Sequence, residues 1–268
     1  MTGTETHGDT VLSTLADGVL TLTLNRPEKL NSFNEAMHIA LRAQFQRAHD
    51  DATVRAVLLT GSGRGFCAGQ DLGDRDPRAG GPAPDLGATL ETFYNPTLRL
   101  IRALEKPVIC AVNGVAAGAG ANIAFACDIV LAARSAKFVQ AFARIGLIPD
   151  AGGTFNLTRI LGEPRAKALA MTAEPLPAVT AADWGLIWKA VDDDALMTDA
   201  TALAASLAAG PTLGLGLTKR LIQAAATNSL DEQLDMERDC QRAAGRSADY
   251  AEGVTAFLEK RPARFTGA

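Results

Sequence analysis

The chain has 268 residues, of which 47% are hydrophobic and 21% charged, and its formal net charge is -4. This composition supports a full-sized hydrophobic core and excludes disorder as the main state. The absence of a strong positive field argues against nucleic acid and anionic membranes as partners. Apolar runs such as residues 108–112 and 123–127 are far shorter than the roughly 20 residues that span a bilayer.

The N-terminal residues are polar and contain no basic segment followed by an apolar one, so we expect no leader peptide and a cytoplasmic protein. Four cysteines, at positions 67, 110, 127 and 240, form no C-x-x-C pair, which favours free thiols. The three histidines lie among the first 49 residues, away from the glycine-rich segments. We therefore expect no histidine metal site and no histidine nucleophile.

The first periodic segments predict a strand and then a helix. In residues 18–25 leucines alternate with other side chains, which is the period of a strand. Residues 32–51 carry apolar side chains at helical spacing, and Ser32 with Glu35 predicts a capping box. Short apolar runs at 54–60, 107–112 and 129–132 predict buried strands. The alternation of short strands and helices predicts an α/β layered core.

Two segments depart from this alternation. Residues 73–87 are dense in Gly, Pro and Asp, so we expect a mobile surface loop that could act as a lid. After Asp194 the strand signals end, and helical patterns follow at 211–226, 230–244 and 248–260. We therefore predict a core of residues 1–195 and a C-terminal helical region of residues 196–268.

Two glycine loops are candidate binding sites. In residues 65–72 small side chains allow backbone amides to approach an anion or a developing oxyanion, although an ordinary turn capped by Asp71 explains the same residues. Residues 113–122 precede an apolar helix, whose first amides face outward. Neither loop has the spacing of a dinucleotide or phosphate-binding motif, and no G-x-S-x-G occurs. We therefore expect neither a NAD or ATP site nor serine hydrolysis.

A third candidate is Asp150, in the mainly apolar stretch 145–154. Loss of hydration in such surroundings would make the carboxylate a stronger base. The same residue could instead cap the helix that starts near Gly152. The local sequence leaves both interpretations open.

Four motifs together carry a family resemblance. They are N-R-P-x-K-L-N-[SA]-[FL] at 25–33, F-C-A-G-x-D-L at 66–72, N-G-x-x-x-G-x-G from 113, and L-I-P-D-x-G-G-T at 147–154. In order and spacing they resemble the enoyl-CoA hydratase/isomerase family, also called the crotonase family. The resemblance implies an α/β fold in which repeated ββα units form a spiral, and C-terminal helices that assemble a trimer. It also implies acyl-CoA thioester substrates.

The resemblance assigns catalytic roles to three residues. It implies that the N–H groups of Gln70 and Ala119 form an oxyanion hole for the thioester oxygen. Asp150 corresponds to a functional aspartate of some relatives. The two glutamates of family hydratases correspond to Asn122 and Phe142, neither of which moves a proton at neutral pH. Water addition is therefore disfavoured, and we expect isomerisation of an acyl-CoA through an enolate, with Asp150 as the base.

Further residues are expected to contact the substrate. They are Ala68, Gly69, Asp71, Leu72, Gly120, Asn122, Phe142, Arg26, Lys29, Phe257 and Lys260. Asp71 is also expected to bond the loop that presents Gln70. Lys260, with Phe257, corresponds to a place where relatives reach across the trimer to the CoA phosphates, but a solvated helix lysine is an equal alternative. Arg26 and Lys29 could lie near the nucleotide end or form a solvated turn.

The resemblance also implies the partners. We expect acyl-CoA as the small-molecule partner, no resident cofactor and no metal. We expect no nucleic acid or membrane partner. A homotrimer or a dimer of trimers is expected, and association with a second subunit of the same family is compatible with it.

Three further stretches, at 93–96, 132–139 and 244–250, resemble a subgroup of the family that isomerises ring-epoxidised phenylacetyl-CoA to an oxepin. The subgroup also suggests a shift of the 3,4 double bond of dehydroadipyl-CoA to the 2,3 position. Other enzymatic interpretations are a general Δ3-Δ2-enoyl-CoA isomerase, a weak hydratase, and an aryl-CoA dehalogenase with Asp150 as nucleophile. An interpretation from another class is a non-catalytic scaffold that binds acyl-CoA or RNA, although the net charge argues against RNA.

Overall fold

The computed structural model describes residues 4–7, 10–73 and 84–268, the first four by their backbone alone. The strands in these residues are β1 (Thr4–His7), β2 (Val11–Ala16), β3 (Val19–Leu24), β4 (Ala56–Gly61), β5 (Gly65–Cys67), β6 (Val108–Val112), β7 (Val115–Ala117), β8 (Ile129–Ala133), β9 (Lys137–Val139), β10 (Leu176–Pro177) and β11 (Lys189–Val191). The α-helices are α1 (Glu35–Asp50), α2 (Leu86–Thr89), α3 (Asn95–Ala103), α4 (Ala119–Ala126), α5 (Gly153–Thr172), α6 (Ala178–Asp183), α7 (Leu196–Ala208), α8 (Thr212–Ala224), α9 (Leu230–Ala244) and α10 (Ala248–Glu259).

Two sheets take their strands alternately from the chain. The large sheet has the order β1-β2-β3-β4-β6-β8-β11, and the small sheet has the order β10-β9-β7-β5. From β4 to β9, successive strands join the large sheet and the small sheet in turn. The pairs β4–β6, β6–β8, β5–β7 and β7–β9 are parallel. The predicted spiral of ββα units is therefore confirmed, and so are the predicted strands at 54–60, 107–112 and 129–132, within two residues.

The helix after β3 begins later than predicted. Its first residue is Glu35, and the side chain of Asn34 caps it by accepting the Met37 N–H at 3.0 Å. The predicted capping box of Ser32 and Glu35 is wrong. The physical reason is that Phe33 pairs with Gln70 in a parallel bridge, so the helix cannot start before Phe33.

The last strand ends at Val191, and helices follow, as predicted. The first of them, α7, packs on β4, β6 and β8 through the fully buried Ala200 and Ala204, so it covers the large sheet. Arg55 joins the core to the last segments: its Nε donates to Thr212 Oγ1 at 2.9 Å and its Nη1 to the Phe265 carbonyl at 3.0 Å. The division at residue 195 stays a prediction.

The predicted loop 73–87 lies largely outside the described residues, since 74–83 are not described. Its last two residues belong to α2, and the Asp85 side chain caps that helix by accepting the Ala88 N–H at 2.9 Å. Among the described residues, no single helix is long and apolar enough to cross a membrane. The pair α7 and α8 reaches that length only across a bend of 106°.

Candidate active site

The first glycine loop follows β5 and pairs with the segment before α1. Gly69 has a left-handed φ of +90°, and its carbonyl accepts the Phe33 N–H at 2.7 Å. The Phe33 carbonyl accepts the Asp71 N–H at 2.9 Å, which completes a parallel bridge between Phe33 and Gln70. In this bridge Phe33 bonds to the neighbours of Gln70, so the Gln70 N–H itself points away from Phe33.

The second glycine loop joins β7 to α4. Gly118 has a φ of +52° and a ψ of -127°, and its N–H donates to the Val139 carbonyl at 2.8 Å. Ala119 is the first residue of α4, where a helix offers no acceptor to the amide. The ring of Phe142 lies 3.6 Å from the position of a Cβ built on Gly118. The loop therefore ends in an amide at the positive end of a helix dipole.

The two loops touch because β5 and β7 are parallel neighbours. A Cβ on Gly69 would lie 2.9 Å from the Ala117 carbonyl oxygen and 3.6 Å from the Ala119 nitrogen. A Cβ on Gly120 would lie 2.5 Å from the Cys67 carbonyl oxygen. Glycine at both positions therefore allows the two backbones to approach each other closely.

Two backbone donors result from this contact. Among the described residues, the amides of Gln70 and Ala119 donate to no other protein group. Donors on adjacent, rigidly held loops can stabilise a carbonyl oxygen on which negative charge develops. The geometry is compatible with the predicted oxyanion hole.

An aromatic cluster fixes the side chain of Gln70. Its Nε2 donates to the Phe33 carbonyl at 3.0 Å, and its Oε1 accepts from the Tyr94 hydroxyl at 2.8 Å. Tyr94 ends a π-helical turn, Leu90–Tyr94, a distortion that is frequent at functional sites. The His38 ring stacks on Phe33 at 4.7 Å and meets Tyr94 edge-on at 4.3 Å. These contacts restrict the rotation of the residue that carries the first donor.

An ion pair between Arg26 and Asp71 supports the same loop. Their Nη2 and Oδ2 atoms are 2.9 Å apart, with side chains 15% and 14% exposed. Asp71 Oδ1 accepts the Gly73 N–H at 3.0 Å, and Arg26 Nη1 donates to the Ser32 carbonyl at 2.7 Å. The Gly73 amide and the Arg26 guanidinium hold the pKa of the Asp71 carboxyl below its usual range. Asp71 therefore bonds the loop that presents Gln70, as its sequence predicted.

Asp150 starts a tight turn that leads into α5. Ala151 and Gly152 have φ of +46° and +73°, and the Asp150 carbonyl accepts the Gly153 N–H at 2.8 Å. This is the pattern of a type I′ turn. Gly152 precedes the helix, and no side chain of the described residues caps it. The alternative in which Asp150 caps α5 is therefore wrong.

The residues at the positions of the hydratase glutamates are buried. Asn122 is 0% exposed; its Nδ2 donates to the Asp150 carbonyl at 2.8 Å, and its Oδ1 accepts from Gln140 Nε2 at 2.8 Å. Phe142 is 7% exposed and packs over Gly118. Neither side chain can exchange a proton at neutral pH. Both polar ends of Asn122 are used within the protein.

The other predicted residues lie in two places. Beside the first loop, the Ala68 N–H donates to the Leu30 carbonyl at 2.9 Å, while Leu72 is half exposed and Lys29 exposed. Phe257 and Lys260 lie at the end of α10. The groove that Phe257 lines is formed by residues of the C-terminal region and shares no lining residue with the glycine loops. Among the described residues, no hydrogen bond joins Phe257 or Lys260 to the glycine loops.

The thiol of Cys67 lies beneath the first loop and is unreactive at neutral pH. Its Sγ accepts the Gly69 N–H at 3.5 Å, and burial raises the pKa of the thiol to about 12. It is therefore protonated at neutral pH and a poor nucleophile.

All four cysteines are free, as predicted. In the described ranges, no cluster of three or more His, Cys, Asp or Glu residues suits a metal ion.

An apolar cavity of about 500 Å³ adjoins the Asp150 turn, because Pro149 forms part of its wall. Most of the remaining wall is aliphatic: Ala143, Leu147, Ile148, Leu157, Ala166, Ala170 and Met171. Such a lining suits a hydrocarbon or aromatic group more than a charged one.

Sequence reasoning missed three residues that hold the site together: Asn31, Tyr94 and Gln140. Asn31 is fully buried; its Oδ1 accepts the Arg26 N–H at 2.8 Å and its Nδ2 donates to the Gly65 carbonyl at 2.8 Å. Asn31 belongs to the first family motif and Tyr94 to a subgroup stretch, so the sequence contains a signal for both. No local pattern distinguishes Gln140.

The spiral of ββα units and the paired glycine loops define a class of proteins. A family model described as enoyl-CoA hydratase/isomerase matches residues 14–268. The chain belongs to the enoyl-CoA hydratase/isomerase family. The crystal structure of an enoyl-CoA hydratase from Bacillus anthracis matches with a TM-score of 0.90 and 31% sequence identity, covering 97% of this chain and 100% of that one.

Two relatives are similar over nearly the whole chain. The 1,2-epoxyphenylacetyl-CoA isomerase of Escherichia coli (strain K12) is 60% identical over 257 residues, which is 96% of this chain and 98% of the relative. The trans-2-decenoyl-[acyl-carrier-protein] isomerase of Streptococcus mutans is 34% identical over 257 residues, again 96% of this chain and 98% of the relative.

Proposed function

We propose that the protein is an acyl-CoA isomerase that converts 1,2-epoxyphenylacetyl-CoA into oxepin-CoA through a thioester enolate. One arrangement carries this proposal. The amides of Gln70 and Ala119 lie on loops that touch each other. The turn that holds Asp150 is bonded to α4, the helix that begins at Ala119. The 60% identity to the Escherichia coli isomerase supports the substrate.

In the proposed mechanism the thioester oxygen accepts hydrogen bonds from the Gln70 and Ala119 amides. Removal of a proton from the carbon next to the carbonyl moves negative charge onto that oxygen, where the donors stabilise it, and loss of one donor typically costs about 10²–10³ in rate. Asp150 takes the proton and returns it to a ring carbon. The carbon–carbon bond shared by the epoxide and the six-membered ring breaks, and its electrons enter the double bonds of the seven-membered oxepin. No atom is gained or lost, so the reaction needs no water and no oxidant.

The residues at the hydratase glutamate positions support isomerisation over hydration. A hydratase needs groups that orient and deprotonate water. Asn122 is committed to Asp150 and Gln140, and Phe142 is a hydrocarbon ring. We therefore expect only feeble hydration of crotonyl-CoA.

A second candidate reaction is the shift of a 3,4 double bond to the 2,3 position in an enoyl-CoA such as dehydroadipyl-CoA. A single base above an enolate-stabilising pair of amides is sufficient for this proton shift. The similarity to the Streptococcus mutans isomerase favours this candidate.

We also infer how the rest of the substrate is held. Lys29, which follows the first strand motif beside the first loop, would meet the CoA part. Phe257 and Lys260 would reach it from a neighbouring copy in a trimer or dimer of trimers. Exposed apolar side chains support such an assembly, among them Leu230 at 73% and Leu258 at 74% exposed, because large apolar surfaces usually mark interfaces.

Acyl-CoA is the substrate, and the proposal calls for no resident cofactor. We infer that the enzyme is cytoplasmic.

An assay of the purified protein with three thioesters tests the function. We expect oxepin-CoA from 1,2-epoxyphenylacetyl-CoA, a 2-enoyl-CoA from a 3-enoyl-CoA, and little 3-hydroxyacyl-CoA from crotonyl-CoA, each followed by liquid chromatography and mass spectrometry. Asp150→Asn should lose about 10²-fold or more of the isomerase activity while acyl-CoA binding remains. Turnover by this variant above about a tenth of wild type, or rapid hydration by wild type, contradicts the proposal.

A further inference from the structure

The side chain of Asn122 connects Asp150 to the helix that carries one of the two amides. Asn122 is the fourth residue of α4, one helical turn after Ala119. Its Nδ2 donates to the Asp150 carbonyl at 2.8 Å. The same carbonyl accepts the Gly153 N–H at 2.8 Å, so both of its lone pairs are used. A buried, directional bond therefore fixes the Asp150 turn to α4.

Close packing restricts this connection further. A Cβ on Gly153 would lie 2.6 Å from Asn122 Cγ, so the start of α5 approaches Asn122 as only glycine allows. Between Asp150 and α5, Ala151 has a φ of +46°, a conformation that L side chains rarely adopt. A turn of this kind persists only where its surroundings hold it. The Asn122 bond is one of the contacts that hold it.

The chemistry of the partners determines which way the Asn122 amide faces. The Asp150 carbonyl can only accept a hydrogen bond, so Nδ2 must face it and Oδ1 must face Gln140. Gln140 is 3% exposed, and its Nε2 donates to that Oδ1 at 2.8 Å. Among the described residues, Gln140 Oε1 has no hydrogen-bond partner. The amide of Gln140 therefore orients Asn122 although its own oxygen stays unsatisfied, which is unfavourable in a buried site.

We propose that Asn122, oriented by Gln140, is a positioning residue that holds Asp150 at a fixed place relative to the Ala119 amide. The inference rests on the proposed function, because it assigns a task within that site. A misplacement of about 1 Å can cost about 10²-fold in rate. A glutamate at position 122, the residue type of the hydratases, would present only acceptors to the Asp150 carbonyl when ionised. The amide at this position therefore serves the base on the neighbouring turn.

Two variants and two measurements test the proposal. Asn122→Leu removes the donor at similar volume, and Gln140→Leu removes only the group that orients it. Exchange of the α-protons of bound phenylacetyl-CoA with deuterated water reports on Asp150. The infrared frequency of the thioester carbonyl of this ligand, labelled with carbon-13, reports on the two amides. We expect exchange to fall about 10²-fold in Asn122→Leu and up to about tenfold in Gln140→Leu. The carbonyl frequency should stay at the wild-type value in both.

The matched control is Gln44→Leu. Gln44 is a fully buried residue of α1, and among the described residues its amide has no hydrogen-bond partner. Its variant should keep the wild-type exchange rate and carbonyl frequency.

Each outcome of the experiment has one meaning. If the exchange rate falls and the frequency of the thioester carbonyl also departs from its wild-type value, Asn122 only supports α4, and the proposal is overturned. Wild-type exchange in Asn122→Leu also overturns it. If Asn122→Leu does not fold, Gln140→Leu decides: reduced exchange with an unchanged carbonyl supports the proposal, and wild-type exchange overturns it. A wild-type protein that exchanges no α-proton refutes the proposed function instead.

Discussion

Replacement of Gly120 by alanine should displace the two proposed oxyanion donors without altering either of them. A Cβ at this position would lie 2.5 Å from the Cys67 carbonyl oxygen and 2.7 Å from Cys67 Sγ. Ordinary contact begins near 3.4 Å, so one backbone has to move by the difference, 0.9 Å. Gly120 follows Ala119, and Cys67 lies three residues before Gln70. The displacement therefore changes the position of the Ala119 amide relative to the Gln70 amide.

The size of the effect follows from this distance. A misplacement of about 1 Å can cost about 10²-fold in rate, which corresponds to about 2.7 kcal/mol of transition-state stabilisation. Overpacking of a core typically costs about 1–3 kcal/mol of stability, and in a protein of this size each kcal/mol lowers Tm by about 2–4 °C. We expect Gly120→Ala to fold, with kcat/KM reduced about 10²-fold.

Isomerase kinetics and thermal unfolding of the same preparations measure both effects. Gly214→Ala is the matched control: in α8 its Cβ would lie 3.8 Å from Pro211 Cγ, which is ordinary contact. Alanine in a helix is favoured over glycine by about 1 kcal/mol, so this variant should keep its activity and gain stability. Full kcat/KM in a destabilised Gly120→Ala would refute the idea that the two loops act as one unit.

Tyr94→Phe removes the hydroxyl that bonds Gln70 and should lower kcat/KM by up to about tenfold with an unchanged circular dichroism spectrum; a wild-type rate contradicts this. The lowered pKa of Asp71 means that its bonds to Arg26 and Gly73 stabilise the fold above the unfolded-state pKa of about 3.9, and that this contribution is lost as pH falls through the folded-state pKa. The Tm difference between wild type and Asp71→Asn should therefore shrink below about pH 4, and a constant difference would argue against the ion pair. Light scattering at micromolar concentration should give a trimer or hexamer, and a single 28.0 kDa species contradicts it.

The large sheet could be predicted from the sequence because its central strands are buried on both faces. Residues 56–60 and 108–112 are buried throughout, and such strands are continuous apolar runs. The small sheet could not be predicted from periodicity, since β5, β7 and β9 have three residues each. A pattern of period 2 needs more residues than that to be recognised. Only the family resemblance, through its repeated ββα units, indicated a second strand in each unit.

The site was predictable where chemistry depends on the backbone and ambiguous where it depends on long-range contacts. The small residues around Gly69 and Gly118 indicate loops that let amides approach a ligand. The sequence around Asp150 allowed both a base and a helix cap. The left-handed Ala151, which decides against the cap, has no sequence signal because alanine rarely adopts that conformation. Gln140 contacts Asn122 across 18 residues, a pairing that only the fold creates.

Exchange of the substrate α-proton with solvent deuterium tests the central claim, that Asp150 is the base beside a two-amide oxyanion hole. Wild type and Asp150→Asn are compared with a slow or unreactive acyl-CoA analogue in deuterated buffer, at saturating ligand and with measured binding. The account predicts exchange by wild type and a loss of about 10²-fold or more in Asp150→Asn at unchanged affinity. Equal exchange rates in the two proteins would show that another group removes the proton.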